Sequence, residues 1–235
     1  MLCISKWGHC FKGVRNTMRN KLIIFDLDGT LVDTIEGIGF SMNKVLEKHG
    51  FPTHTIEAYR GFVGNGLRNL AKTTLPEEYR DEETIDLCYK EMLDVYSQFY
   101  SKGIALYPGI ESLLDKLTEE GYTIAINTNK DQRITEYIVA ELLSKWKFIK
   151  VIGDAGGYPR KPNPVAALAI ATQGGFKPDE CIYVGDSEVD YKTAINAGMK
   201  SVLVLWGFRS REDLIKLNPE GVIATPHEIF KMINP

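Results

Sequence analysis

Short runs of continuously apolar residues, separated by segments in which apolar residues recur every three or four positions, constrain this chain more than any other feature. Residues 22–25, 123–126, 148–152, 182–184 and 202–205 are apolar or β-branched runs of strand length. Continuous rather than alternating apolarity suits strands covered on both faces, as in a parallel sheet. Between the later runs lie helical repeats. Ile110, Leu113, Leu114 and Leu117 end at Gly121, and Ile134, Tyr137, Ile138 and Leu142 follow. Pro164 opens a third helix that holds Leu168 and has Gly174 beyond its end. Alternating strand and helix imposes right-handed crossovers and predicts an α/β fold, a parallel sheet with helices on both faces.

One stretch breaks the alternation. Almost a hundred residues separate the first run from the second, without a strand signal. Ile35, Ile38, Met42, Val45 and Leu46 mark an amphipathic helix stopped at Gly50-Phe51-Pro52. Ile85, Cys88, Met92, Val95, Tyr96 and Phe99 mark a longer one, with a short helix over 67–72 between them. The expected organisation is therefore a leader over 1–20, an α/β core over 21–34 and 104–235, and a small all-helical domain over 35–103. The leader is basic and aperiodic, and is expected to be flexible. Its Cys3, His9 and Cys10 match no standard zinc spacing, and Met18 is an alternative start.

Charge and composition narrow the function. Lys and Arg number 28 against 31 Asp and Glu, a net charge of -3, so the chain lacks the basic footprint expected of a nucleic-acid binder. No apolar run approaches the ~18–20 residues of a membrane span, and none resembles a secretory signal. The four cysteines form no paired motif, and Cys88 and Cys181 sit in apolar segments, which together suggest a reduced, cytoplasmic protein.

In open parallel sheets, ligands bind beyond the carboxyl ends of the strands. The polar residues placed there are Asp26, Asp28, Gly29 and Thr30 after the first strand. Thr128, Asn129 and Lys130 follow the second, Arg160 and Lys161 lie in the loop past the third, and Gly185 to Asp190 follow the fourth. Taken singly, each is an ordinary turn or helix cap. Gathered on one rim, several carboxylates need a neutralising cation, and hard oxygen ligands suit Mg²⁺.

The residues Phe25-Asp26-Leu27-Asp28-Gly29-Thr30-Leu31-Val32-Asp33 resemble the first motif of the haloacid dehalogenase-like superfamily of phosphohydrolases. Thr128-Asn129 is similar to its second motif, Lys161-Pro162 to its third, and Gly185-Asp186-Ser187-Glu188-Val189-Asp190 to its fourth. The helical stretch resembles the family's cap, and the core is expected to be Rossmann-like. The resemblance implies that Asp26 is the nucleophile, forming an aspartyl-phosphate that water hydrolyses, and that Asp28 is the general acid and base. It implies Mg²⁺ on the carboxylates of Asp26 and Asp186 and the backbone carbonyl of Asp28, with Asp190 a ligand or a partner of the ligands. Thr128, Lys161 and nearby amides at Gly29 and Asn129 would receive the phosphoryl oxygens. Lys161 competes with Lys130 and Arg160 for its role, and Asp33 either braces the hinge at Thr34 or lies in a solvated turn.

The pattern is most similar to phosphoglycolate phosphatases, which implies a small phosphorylated metabolite as partner and a monomer or homodimer. A β-phosphoglucomutase, a pyrophosphatase, a nucleotidase and an inactive binding module are the alternatives. The glycines of Gly61-Phe62-Val63-Gly64-Asn65-Gly66 loosely imitate a dinucleotide loop but follow no strand. In the cap they resemble a specificity loop, beside which Arg68 either meets an anionic substrate group or is a solvated helix charge. Trp146 and Trp206 are expected to pack, and Trp7 falls in the leader.

Overall fold

A computed structural model describes residues 21–233. The leader, with Cys3, Trp7, His9, Cys10 and Met18, lies outside the described residues. Six parallel strands form one sheet: β1 (Leu22–Phe25), β4 (Thr123–Asp131), β5 (Val151–Asp154), β6 (Cys181–Gly185), β7 (Lys200–Val204) and β8 (Gly221–Ile223), in the order β5-β4-β1-β6-β7-β8. β1 is central and buried on every residue because the two faces are covered separately. Ile23 and Phe25 join a core with α5 (Ile110–Glu119) and α6 (Gln132–Leu142). Leu22 and Ile24 join another with α7 (Val165–Gly174) and α8 (Glu188–Ala197). The continuous apolarity of the run is thus a consequence of two-sided packing.

The helical stretch is framed by a two-residue antiparallel pair, β2 (Val32–Asp33) with β3 (Ala105–Leu106), too short to leave a sequence signature. Between them come α1 (Ile35–Lys48), α2 (Ile56–Phe62), α3 (Leu67–Thr74) and α4 (Glu82–Phe99). Asp33 accepts from the backbone N–H of Ile35 at 3.2 Å and so helps start α1. Asp81 accepts from Thr84 N–H at 2.9 Å and caps α4. The buried stripe of α1 (Ile35, Ile38, Met42, Val45, Leu46) packs on that of α4 (Ile85, Cys88, Met92, Tyr96).

Several boundaries differ from the sequence reading. β4 runs on through Thr128, Asn129 and Lys130 to Asp131, whose side chain caps α6 by accepting from Arg133 and Ile134 N–H, so strand passes into helix without a loop. β5 starts at Val151 and β7 at Lys200. The edge strand β8 is three residues long, below the length at which a pattern can be read. α7 includes Gly174, and Gly175 with φ +76° ends it. Tyr137 and Phe99, expected in apolar stripes, are 55% and 39% exposed. Each ring instead meets another aromatic, Tyr137 stacking on Tyr100 and Phe99 meeting Phe40 edge-on. Cys88 and Cys181 are buried free thiols, and Trp146 is buried. Among the described residues no helix is long and apolar enough to cross a membrane.

Leu46 is fully buried at the α1–α4 contact. Leu46→Ala should lower stability by about 2–5 kcal/mol in urea unfolding; a loss well under ~1 kcal/mol would contradict close packing there.

Candidate active site

Order in the sheet reverses around β1, with β4 on one side and β6 on the other. The polar residues converge at the carboxyl ends of these three strands, the place where parallel sheets leave a crevice. Asp26 continues β1, its N–H donating to Val184 of β6 at 2.9 Å. Its Oδ1 accepts from Leu27 N–H at 2.7 Å and lies 2.9 Å from Lys161 Nζ. Lys161 Nζ also donates to Asp190 Oδ1 at 2.6 Å. Asp190 Oδ2 accepts from Ser187 Oγ at 2.6 Å and from the N–H groups of Ser187 and Asp186. Both Asp190 oxygens are therefore committed to holding Lys161 and the loop at the start of α8.

These side chains are almost wholly out of water, which decides their charges. Burial pushes the Asp26 carboxyl up to about 7; the Lys161 ammonium opposes the rise, while Asp190 and Asp28 add to it. Burial, then repulsion from Asp190 and Asp26, holds Asp186 well above the usual carboxylate range, although Phe208 N–H donates to its Oδ2 at 2.7 Å. Burial opposes the charge of Lys161, but Asp190 and Asp26 outweigh it and keep the ammonium. Gly29, with φ +80°, lies so close to the Asp186 carboxylate that a Cβ there would collide with it.

Asp28 points to a different set of partners. Its carboxylate accepts from Thr34 Oγ1 at 2.8 Å and from Lys130 Nζ at 3.0 and 3.2 Å. Lys130 Nζ also donates to the hydroxyl of Tyr96, on α4, at 2.5 Å. Lys130 thus belongs to Asp28, and Lys161 to Asp26, which separates the two lysines that the sequence left in competition. Asn129 accepts from Lys161 N–H at 2.8 Å and donates to the Lys161 carbonyl at 3.1 Å, so its side chain is spent on fixing that segment. Thr128 Oγ1 accepts from Lys130 N–H, which leaves the hydroxyl proton to donate elsewhere.

A cavity opens over this floor, lined by Asp26, Asp28, Thr128, Asn129, Lys130, Asp186 and Ser187. Its roof comes from the helical stretch and carries no charge: Ile38, Val63, Gly64, Gly66, Leu67 and Leu70. Gly64 and Gly66 therefore face the cavity, and the glycine run begins in the last turn of α2, not after a strand. Arg68 is elsewhere, paired with Asp86 at 2.8 Å and Glu82 at 2.6 Å on the helical surface, so it is not brought to the cavity. Its turn of α3 points the side chain at α4 instead. Arg160 donates to the Asn65 carbonyl at 2.9 Å.

Two residues at the site escaped the sequence reading. Arg209, held by Glu188 at 2.9 Å, donates to the carbonyls of Arg60 and Val63 at 2.8 Å each, joining the strand-end rim to the roof. It follows β7, and listing polar residues after that strand as well would have found it. Tyr96 sits in an apolar helical stripe, and nothing local marks its hydroxyl.

The residues present fit a divalent cation. Asp26, Asp186 and Asp190 bring carboxylate oxygens within 4.8 Å of one another, all buried. With Asp190 already engaged on both oxygens, Asp26 and Asp186 are the hard oxygen donors best placed to hold it.

Comparison with known proteins agrees with this architecture. A phosphoglycolate phosphatase of Nitrosococcus oceani is 31% identical over 217 residues, covering 91% of this chain and 96% of that one. One from Xanthomonas campestris pv. campestris is 32% identical over 212 residues, covering 90% and 95%. A solved structure from Lactobacillus delbrueckii subsp. bulgaricus, provisionally described as a phosphoglycolate phosphatase, superposes with a TM-score of 0.85 at 26% identity, covering 91% of this chain and 98% of that one. The profile of the haloacid dehalogenase-like hydrolase family matches residues 23–204. With its motifs converging at the switch point of a matching sheet, the chain belongs to the haloacid dehalogenase-like hydrolases.

Proposed function

We propose that the chain, a phosphatase of this family, hydrolyses a small phosphomonoester such as phosphoglycolate through an aspartyl-phosphate on Asp26. The observation that carries the reading is the buried contact of Asp26 with Lys161, in a crevice that also holds Thr128 and, two residues along, Asp28. Asp26 would attack phosphorus while the bond to the leaving oxygen breaks and Asp28 gives that oxygen a proton. Asp28 would then take a proton from water as the water attacks the aspartyl-phosphate, releasing phosphate and restoring Asp26. Lys161 orients Asp26, and Thr128 Oγ1 has a proton to offer a phosphoryl oxygen. A Mg²⁺ held by the Asp26 and Asp186 carboxylates and the Asp28 carbonyl would supply positive charge against the phosphoryl oxygens.

Residues 35–103 serve as a cap in this reading. The chain enters and leaves them side by side, through β2 and β3, and Tyr107 N–H donates to Leu31 at 3.1 Å beside that pair. A roof of aliphatic side chains and glycine backbone leaves space for a compact leaving group and excludes water from the phosphoryl transfer. The named relatives support phosphoglycolate as the first substrate to assay.

Asp26→Asn should lower kcat/KM for phosphate release at least ~10³-fold. EDTA should abolish activity of the unsubstituted protein and Mg²⁺ restore it. Release of phosphate indifferent to both changes would contradict the mechanism, and conversion of glucose 1-phosphate without free phosphate would favour a mutase. A second expectation concerns stability without metal. Asp26 rises from 3.8 to about 7 on folding, so its favourable contribution is complete below pH 3.8 and is lost as pH climbs to about 7. The metal-free Asp26→Asn protein should therefore resist urea better than the unsubstituted protein at pH 8. A lower midpoint at pH 8 would contradict the assignment.

A further inference from the structure

We propose that Lys130 and Tyr96 are positioning residues for Asp28, and that the Tyr96 hydroxyl makes the alignment of this carboxyl depend on docking of the cap. The inference rests on the reading of Asp28 as the general acid and base of a phosphatase. Asp28 is held directly from two parts of the fold and, through Lys130, from a third. Thr34, at the start of α1, donates to Oδ1 at 2.8 Å. Lys130, on the core strand β4, reaches both oxygens at 3.0 and 3.2 Å. Tyr96, on the cap helix α4, accepts from Lys130 Nζ at 2.5 Å.

The three ammonium protons of Lys130 match these three acceptor atoms, so Nζ has no freedom left in the docked state. The side chain is only 2% exposed, and Nζ also lies 4.6 Å from the Tyr96 ring centroid. A lysine buried here for packing alone would bear a desolvation cost that methionine avoids. Withdrawing α4 would remove one of the three partners and free the ammonium, and with it the carboxylate, to turn. Docking of the cap is thereby linked to the group that must face the leaving oxygen.

Misplacing a proton donor has a recognisable kinetic result. When the phosphorus–oxygen bond breaks, its electron pair goes to the leaving oxygen, which takes the Asp28 proton. An alkoxide needs that proton; p-nitrophenolate leaves without it. The test compares kcat and KM for p-nitrophenyl phosphate and for an alkyl phosphate (glycerol 2-phosphate) in the full chain with Mg²⁺, for the unsubstituted protein, Tyr96→Phe, Lys130→Met and Asp28→Asn. Tyr96→Phe keeps the buried ring, and melting curves would verify folding. We expect it to lower kcat/KM, which reports only the steps up to departure of the leaving group, ~10-fold on the alkyl ester and less than ~2-fold on the aryl ester; any slowing of the shared hydrolysis of the aspartyl-phosphate appears in kcat on both. Lys130→Met should lose ~10²-fold on the alkyl ester. Equal losses of kcat/KM on both esters, or none for Tyr96→Phe, would overturn the proposal even if Lys130→Met failed to fold. An unsubstituted protein inactive on both esters, or Asp28→Asn with no leaving-group dependence, would instead remove the underlying phosphatase reading and the pair's role with it.

Discussion

The structure depends most on how it places one ammonium, that of Lys161, between the carboxylates of Asp26 and Asp190 with almost no water around them. An ion pair so placed gains little net stability, because desolvation costs as much as the attraction returns. Its geometry is what matters. Asp190 has both oxygens engaged and Lys161 is fixed through its backbone by Asn129, so Asp26 is held in one orientation. Asp186 stands beside it, its Oδ2 accepting from Phe208 N–H while burial and the neighbouring carboxylates hold its pKa up. Asp26, Asp186 and Asp190 gather around that single ammonium, an arrangement of hard oxygen donors suited to a divalent cation.

Two-sided packing of the sheet makes this possible. Because β1 is buried by one set of helices through Ile23 and Phe25 and by another through Leu22 and Ile24, its carboxyl end cannot drift. Asp26 therefore emerges at a defined point beside Val184. The short β2–β3 pair then closes the helical segment over that point, and Arg209 and Arg160 reach from the core to the carbonyls of Arg60, Val63 and Asn65, at and after the end of α2. Backbone carbonyls as acceptors leave these residues free to vary in side chain while keeping their docking contacts.

Most of the fold was legible because it rests on periodicity: continuous apolar strands, amphipathic helices, and glycine at helix ends. The elements that were not legible were short or irregular. β2, β3 and β8 have two or three residues, too few for a period, and β4 extends through polar residues that look like a loop. The rim residues Asp26, Thr128, Lys161 and Asp186 were legible because a parallel sheet collects whatever follows its strands. Partnerships across the fold were not. That Lys130 serves Asp28, or that Arg68 turns to Glu82 and Asp86, is settled by docking of distant segments and leaves no local trace.

The central claim is that Asp26 becomes covalently phosphorylated during turnover. The most direct measurement is acid quenching of the enzyme in the presence of phosphoglycolate and Mg²⁺, followed by borohydride reduction and peptide mass spectrometry. An acyl phosphate on Asp26 would be reduced to homoserine at that position. Homoserine at position 26, absent from samples without substrate, is the expected result. Rapid release of phosphate with an unmodified Asp26, or with the label on another residue, would contradict the account.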